Sequence, residues 1–344
     1  MKERYFDLQL FAPNSYDFTD NVNKTSQHDT SSTPPWDLAP EMKTFYNTSL
    51  LENARQENYF NQFGMKQPLP KNGGNTVEWR RFVTFEKAMR ALDEGVTPDG
   101  NKVTVEAINA TIAQYGDYTT ISDRLELEAV DPIITGITEE HGAQAGETLD
   151  TVTRNELLTG TNVIRPGDKA RSALTAADTV TSELINQAVT MLKKQKTPQV
   201  EGGGYIAIIH PSCTYDLRQS SDWLEAHKYA QPEEIYNGEI GKLHNVRFIE
   251  SPNAKVWAGA NGGASGAAVY AIEVFGKDAY GVVEPSAESM EVIVKPRGSA
   301  GTADPLDQRS SVGWKASHTA KILYEERIVR LEVGSKFSGV DEEN

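Results

Sequence analysis

The chain has 344 residues, a formal net charge of −15 and a hydrophobic content of 38 %, enough to bury a sizeable core in two or three compact units. No apolar run approaches about 18 residues, so no membrane span is expected, and the charged start Met1–Ala12 lacks the apolar stretch and cleavage signature of a secretory signal. Cys213 is the single cysteine, which excludes an internal disulfide and fits a reducing compartment, while the acidic balance opposes tight binding to DNA phosphates.

Residues 1 to about 36 are rich in Ser, Thr, Asn and Asp, end in Pro34-Pro35 and read as a tail. Its apolar cluster Tyr5, Phe6, Leu8, Leu10 and Phe11 offers a docking element. Apolar residues at helical spacing (Met42, Phe45, Tyr46, Leu50, Ala54, Tyr59) predict a helix over 40–63. The character then changes to period two. Val77, Trp79, Arg81 and Val83 alternate with Glu78, Arg80 and Phe82. After the turn signal Thr97-Pro98-Asp99-Gly100-Asn101, a second alternating run covers Val103 to Ala113. These runs predict a long hairpin arm, with Glu86, Lys87, Arg90, Asp93 and Glu94 in the loop between them. An isolated hairpin is marginal in water, so this one calls for a partner surface.

The stretch 131–160 is punctuated as a long helix. Asp131 and Pro132 suit its start, and Gly160 is expected in the left-handed conformation just past its end. Ile133, Ile137, His141, Ala145, Leu149 and Val152 mark one thin face, and at 1.5 Å per residue the helix would span roughly 40 Å. Gly136, Gly142 and Gly146 each cost about 1 kcal/mol in a helix, so they suggest close approach by a sheet or a neighbouring subunit.

Further on, 181–194 reads as an amphipathic helix, 205–209 as a buried strand and 212–227 as one helix. Strands follow at 246–250, 269–275, 281–283 and 290–294, a mixed pattern that makes an α+β unit. The closing run 314–333 alternates again, with Val329, Leu331 and Val333 opposite Arg330 and Glu332. It is the natural sheet for the long helix to cross.

Reactive chemistry finds little support. The six histidines form no helical zinc spacing. His141 reads as a bonded core or interface residue, His210 as a loop anchor ahead of Pro211, and Cys213 as a plain buried thiol. Phosphate-loop glycine patterns are absent. Asp304, Asp307 and Arg309 form a charged loop cluster best read as a capped turn or salt bridge. On the arm, Arg80, Arg81, Lys87 and Arg90 interleave with acids, which favours ion pairs between subunits over a nucleic-acid patch.

The order of parts, and several segments within it, resemble a known family. The segments are Leu8–Ala12, Pro70–Gly74, Glu94–Asn101, Gln114–Ser122, Tyr236–Gly241 with Val246–Glu250, and Gly298–Lys315. Together they resemble the major capsid protein of tailed bacteriophages, and within it the N4-like family. The resemblance implies an α+β chain with the Hong Kong 97-type fold. Its parts would be an N-terminal arm and helix (1–63), an extended hairpin loop (64–120) and a peripheral domain with a spine helix at 131–159 (121–203). An axial domain (204–294) and C-terminal strands of the peripheral domain (295–344) would follow.

It further implies self-assembly, through hexamers and pentamers, into an icosahedral shell around double-stranded DNA held without tight or specific binding. Virion localisation, assembly in the bacterial host cytoplasm and portal, scaffold or decoration partners belong to the same expectation. No catalysis, cofactor or metal is expected. Candidate contacts between subunits are Arg80, Arg81, Lys87, Arg90, Glu94, Asp99, His141, Gly142, Gly146, Asp304, Asp307 and Arg309. Some related shells cross-link a lysine to an asparagine. Lys71, Lys87 and Lys102 are in range, but no dedicated carboxylate pairing accompanies them. The alternatives are an encapsulin-like cargo shell, which shares the fold, and a hydrolase on the 204–294 unit using His210 or Cys213.

Overall fold

A computed structural model describes residues 22–23, 59–68, 75–83, 85–89, 91, 100–124, 133–229, 239–283, 290–295, 297–299 and 304–344. In chain order the strands are β1 (Val22–Asn23), β2 (Met65–Gln67), β3 (Thr76–Phe82), β4 (Val105–Thr111) and β5 (Ala113–Ser122). The long helix α1 (Ile133–Leu157), β6 (Val163–Ile164), helix α2 (Ser182–Lys194) and β7 (Tyr205–Ile209) come next. Helices α3 (Pro211–Arg218) and α4 (Ser221–Tyr229) precede β8 (Glu239–Leu243), β9 (Val246–Glu250), β10 (Val256–Trp257) and β11 (Val269–Phe275). The chain closes with β12 (Tyr280–Val283), β13 (Met290–Lys295), β14 (Arg309–His318), β15 (Ala320–Ile322) and β16 (Ile328–Val333).

The helix expected over 40–63 lies outside the described residues except at its end, where Tyr59–Gly64 are bends and turns. The segment after the hairpin is itself a strand, β5. The single helix expected over 212–227 is two helices. The first ends where Gln219 N–H bonds back to Tyr215 and Asp216, and Ser220 Oγ then accepts from Trp223 N–H to start the second.

The chain divides into two compact units. The first comprises Met1–Glu52, Gly116–Gly142 and Glu291–Lys315. Its sheet has the order β1-β5-β14-β13, with β1 adding in parallel through Val22 opposite Thr120. Ile121 and Val312 are buried there with Ile137 of α1. Trp314 and Gly116 approach so closely that a Cβ on Gly116 would sit 2.5 Å from the Trp314 carbonyl oxygen.

The second unit comprises Asn53–Tyr115, Ala143–Met290 and Ala316–Asn344. Its main sheet has seven strands in the path β6-β16-β11-β7-β9-β8, with β10 pairing β11 beside β7. One face carries Tyr205, Ala207, Ile209, Phe248, Ile272 and Leu331 against Leu184, Ile185, Ala188, Val189 and Leu192 of α2. Thr181 caps α2 as its side chain accepts from Leu184 N–H. The other face carries Ile206, Ile208, Ile249, Phe275 and Ile328 against Leu157 of α1 and Phe60. Each such side chain contributes about 1.5–3 kcal/mol on burial, so the sheet is the energetic centre of this unit. The closing strand β16 meets the long helix at its end, where Ile328 packs with Leu157 and Arg330 bonds the Leu158 carbonyl.

The end of α1 differs from expectation. Gly160 is not among the glycines with positive φ. The helix tightens instead, with Thr159 and Gly160 N–H bonding to Glu156 and Leu157 carbonyls. Arg330 Nη1 then donates to the Leu158 and Gly160 carbonyls at 2.5 and 3.3 Å, a cation on orphan acceptors at the negative helix end.

Candidate assembly surfaces and the buried charge cluster

The hairpin pairs β3 with β4 in one register from Thr76 opposite Thr111 to Phe82 opposite Val105. Its root is anchored. Val77, Trp79 and Ala110 are buried with Val283 and Leu323, and Trp79 lies flat over Gly281, where a Cβ would come within 2.4 Å of the indole. Arg81 pairs with its ladder partner Glu106 at 2.6 Å, donates to the Leu323 carbonyl at 2.8 Å and faces the Tyr324 ring at 5.3 Å.

Beyond the root the apolar residues are uncovered. Phe82 is 70 % exposed and Met89 84 %, and Val83, Phe85, Val103 and Val105 are exposed with them. Arg80 bonds Glu78 at 2.5 Å two residues away on the same strand face, and Lys87 is exposed. The acids nearest Arg80 and Arg81 thus belong to the same hairpin, because alternation and register place them closer than any sequence spacing revealed. Arg90, Glu94 and Asp99 lie outside the described residues.

On α1 the buried positions are Thr138, His141, Gly142, Ala145, Gly146, Leu149, Asp150, Thr153, Arg154 and Leu157. The steps alternate between one and three, so the stripe runs to Thr153 and Leu157, leaving Val152 half-buried. Half of this stripe is polar, which explains the thin apolar signal. In the first unit His141 Nε2 lies 3.1 Å from Thr119 Oγ1 of β5. Asp304 is buried and its carboxylate accepts from Arg309 N–H at 2.8 Å, with the Arg309 side chain 3.7 Å away. Asp307 has φ 52° in the same turn. This is the capped turn and salt bridge that the sequence suggested.

The residues tested for chemistry are occupied structurally. His210 caps α3, its Nδ1 accepting from Ser212 N–H at 3.2 Å, and its ring stands 5.0 Å from Tyr270. Burial lowers its pKa. The Ser212 hydroxyl donates away from it, to Asp341 at 3.0 Å. Cys213 is fully buried, and burial pushes its thiol well up, the opposite of an activated nucleophile. Among the described residues, no three His, Cys, Asp or Glu side chains gather in a way that could hold a metal ion.

The main electrostatic feature joins residues far apart in the sequence. Glu332 of β16 is fully buried, and its carboxylate accepts from Arg165 Nε (2.6 Å), Arg171 Nε and Nη2 (3.0 and 2.5 Å) and Arg330 Nε (3.0 Å). Burial alone would raise its pKa, but the Arg171 and Arg165 hydrogen bonds outweigh that and lower it. Arg171 also lies 3.7 Å over the Trp257 ring. On the helix side, Asp150 accepts from Phe60 N–H at 2.7 Å and from Asn253 at 3.2 Å. Arg154 donates to the Asn253 carbonyl at 2.8 Å. His318 Nε2 lies 2.9 Å from Thr153 Oγ1, and burial pulls its pKa down to about 4. The only sequence signal for this cluster was a charged pair, Arg330 and Glu332, inside an otherwise apolar strand.

The described residues of this α+β chain gather no metal-binding cluster, and its outer hairpin carries exposed apolar side chains. The chain belongs to the phage capsid protein family, whose model matches residues 105–331, and it is a shell-forming major capsid protein. No curated protein matches the chain. Solved capsids share the Hong Kong 97-type fold. That of Ralstonia phage GP4 is similar at TM-score 0.66 and 14 % identity, covering 90 % of this chain and 97 % of the other. That of cyanophage P-SCSP1u is similar at 0.60 and 12 %, covering 90 % and 94 %. The virus-like particle from Pyrococcus furiosus matches at 0.50 and 13 %, covering 85 % and 100 %.

Proposed function

We propose that the chain assembles through hexamers and pentamers into an icosahedral shell around packaged double-stranded DNA, in the manner of an N4-like phage, within the host cytoplasm. The observation that carries this is the outer hairpin, where Phe82, Phe85, Met89 and Val103 are all more than half exposed. Large apolar side chains exposed together on one element favour an association site. In this reading 64–120 is the extended loop, and Arg80, Lys87, Arg90, Glu94 and Asp99 meet a neighbouring subunit. His141, Gly142, Gly146 and the 304–309 turn contribute by shaping the surfaces around them. Residues 121–203 and 295–344 form the peripheral domain and 204–294 the axial domain. The net charge of −15 suits a container that repels its cargo rather than gripping it, with portal, scaffold or decoration proteins as further partners.

Deletion of Phe85 to Asn101 tests the proposal. The subunit is expected to fold, with its circular dichroism and thermal unfolding retained, while closed shells disappear from negative-stain micrographs. Normal shells from the deletion would refute the arm's role. Nucleic acid rather than protein cargo inside purified shells separates this reading from a cargo compartment.

A further inference from the structure

We propose that Glu273 is a protonation-gated latch between α1 and the seven-stranded sheet: neutral, it lets the helix seat, and ionised, it loosens that seat. Glu273 lies in the middle of β11, opposite Arg330 on one side and Ile208 on the other. By strand alternation it shares a face with Phe275, which packs with Leu157 of the helix. It is 2 % exposed, and neither carboxyl oxygen has a hydrogen-bond partner.

The cations that face it are committed elsewhere. Arg330 of β16 spends its Nε on Glu332 and its Nη1 on the Leu158 and Gly160 carbonyls. Arg154 of α1 spends its donors on Asn253, Asn155 and Asn344. Asp150 of α1 adds a second buried carboxyl, tied to Phe60, Asn61 and Asn253. Tyr280 of β12 faces both acids, and its hydroxyl is bonded to the Phe60 carbonyl. β7 contributes only Ile208. His318 of β14 is set apart behind Thr153.

An ionised carboxylate without hydrogen bonds is costly in such a site, whereas the neutral acid is tolerated. Burial accordingly carries Glu273 up to about 8, with Arg330 and Arg154 tempering the rise and Asp150 adding to it. Burial likewise carries Asp150 to about 7 against its hydrogen bonds. Ionisation would draw Arg154 off Asn253 and Arg330 off the helix-end carbonyls, which are the contacts holding the last turns of α1.

The folded chain keeps the Glu273 proton between pH 4.5 and about 8, where the unfolded chain has lost it. Its contribution is therefore complete below 4.5, falls as pH rises and is gone above about 8. His318, lowered from 6.5 to about 4, acts in the opposite sense and only below 6.5. The interval from pH 6.5 to 8.5 thus reads the carboxyls without it.

Thermal unfolding of the unassembled full chain over that interval is the test, run on the parent, Glu273→Gln and Asp150→Asn. The parent Tm is expected to fall by several degrees, Asp150→Asn to fall less, and Glu273→Gln to stay nearly level. A level parent, or a Glu273→Gln chain falling like the parent, would overturn the latch. Because the amide could prevent folding, infrared spectra of the parent with isotope-labelled glutamate provide a second reading. A protonated carboxyl band at pH 6.5 that disappears by pH 9 supports the proposal, and its absence at pH 6.5 defeats it. Hydrogen exchange then locates the effect. Protection lost over 150–157 beyond that lost over 246–250 supports the latch, and uniform loss overturns it.

Discussion

Strands β3 and β16 carry the same pattern and live in opposite environments. Both alternate apolar residues with Arg and Glu. In β3 the apolar Val77 and Trp79 are buried while Glu78 and Arg80 face solvent. In β16 all six residues are buried, Arg330 and Glu332 included. Period two therefore fixes which side chains share a face, but not whether the polar face is wet. What decides is the cover. The end of α1 and the 165–174 segment close over β16 and bring Arg165 and Arg171 to Glu332, whereas nothing among the described residues covers the polar face of β3.

The comparison breaks most sharply at Glu332. Glu332→Ala leaves three guanidinium groups beside a vanished carboxylate, and removing one partner of a buried ion pair costs about 3–5 kcal/mol. Chemical denaturation of the subunit should show that loss. The hairpin root comes next. Gly281→Ala places a methyl group inside the Trp79 ring, and overpacking of this kind costs about 1–3 kcal/mol, read as a lowered denaturation midpoint together with altered Trp fluorescence. Arg80→Ala is the smallest step. It removes an exposed pair and should leave subunit unfolding unchanged, although the same guanidinium becomes buried if β16 is the better guide to the assembled arm. A loss of subunit stability from Arg80→Ala as large as that from Glu332→Ala would erase the distinction between the strands.

The hairpin was legible because its signal is local, the alternation along the two strands; most of the turn expected at 97–101 lies outside the described residues. The long helix was legible for the same reason, from the four-residue spacing of His141, Ala145 and Leu149, while its expected start at Asp131 and Pro132 lies outside the described residues. The polar members of its buried stripe were not, since Asp150, Thr153 and Arg154 reach partners at Phe60, Asn61, His318 and Asn253, about 90 to 165 residues away. The path β16-β11-β7 was illegible for an equivalent reason, as each pairing joins distant segments. Gly160 showed a further limit: glycine after a helix suggested positive φ, whereas the tight approach to Leu157 and Glu325 accounts for it here. Of the candidate contacts, the sequence located the arm but not how Arg81 and Glu106 would spend their charges.

The sheet order also sets a timetable for synthesis. β7 pairs with β9 and β11, and β11 then waits for β16. At about 5–20 residues per second on the ribosome, Ile328 emerges roughly 6–25 s after Tyr205. The edge of β11 is unpaired only for roughly the last 3–11 s of it, after Phe275 has emerged, while Arg165 and Arg171 have no carboxylate to meet until Glu332 follows. The hairpin, whose strands are neighbours in the chain, can form long before. The nascent subunit therefore displays the exposed apolar side chains of its hairpin while its largest sheet is still unfinished, which makes early encounters between incomplete chains a hazard of crowded translation.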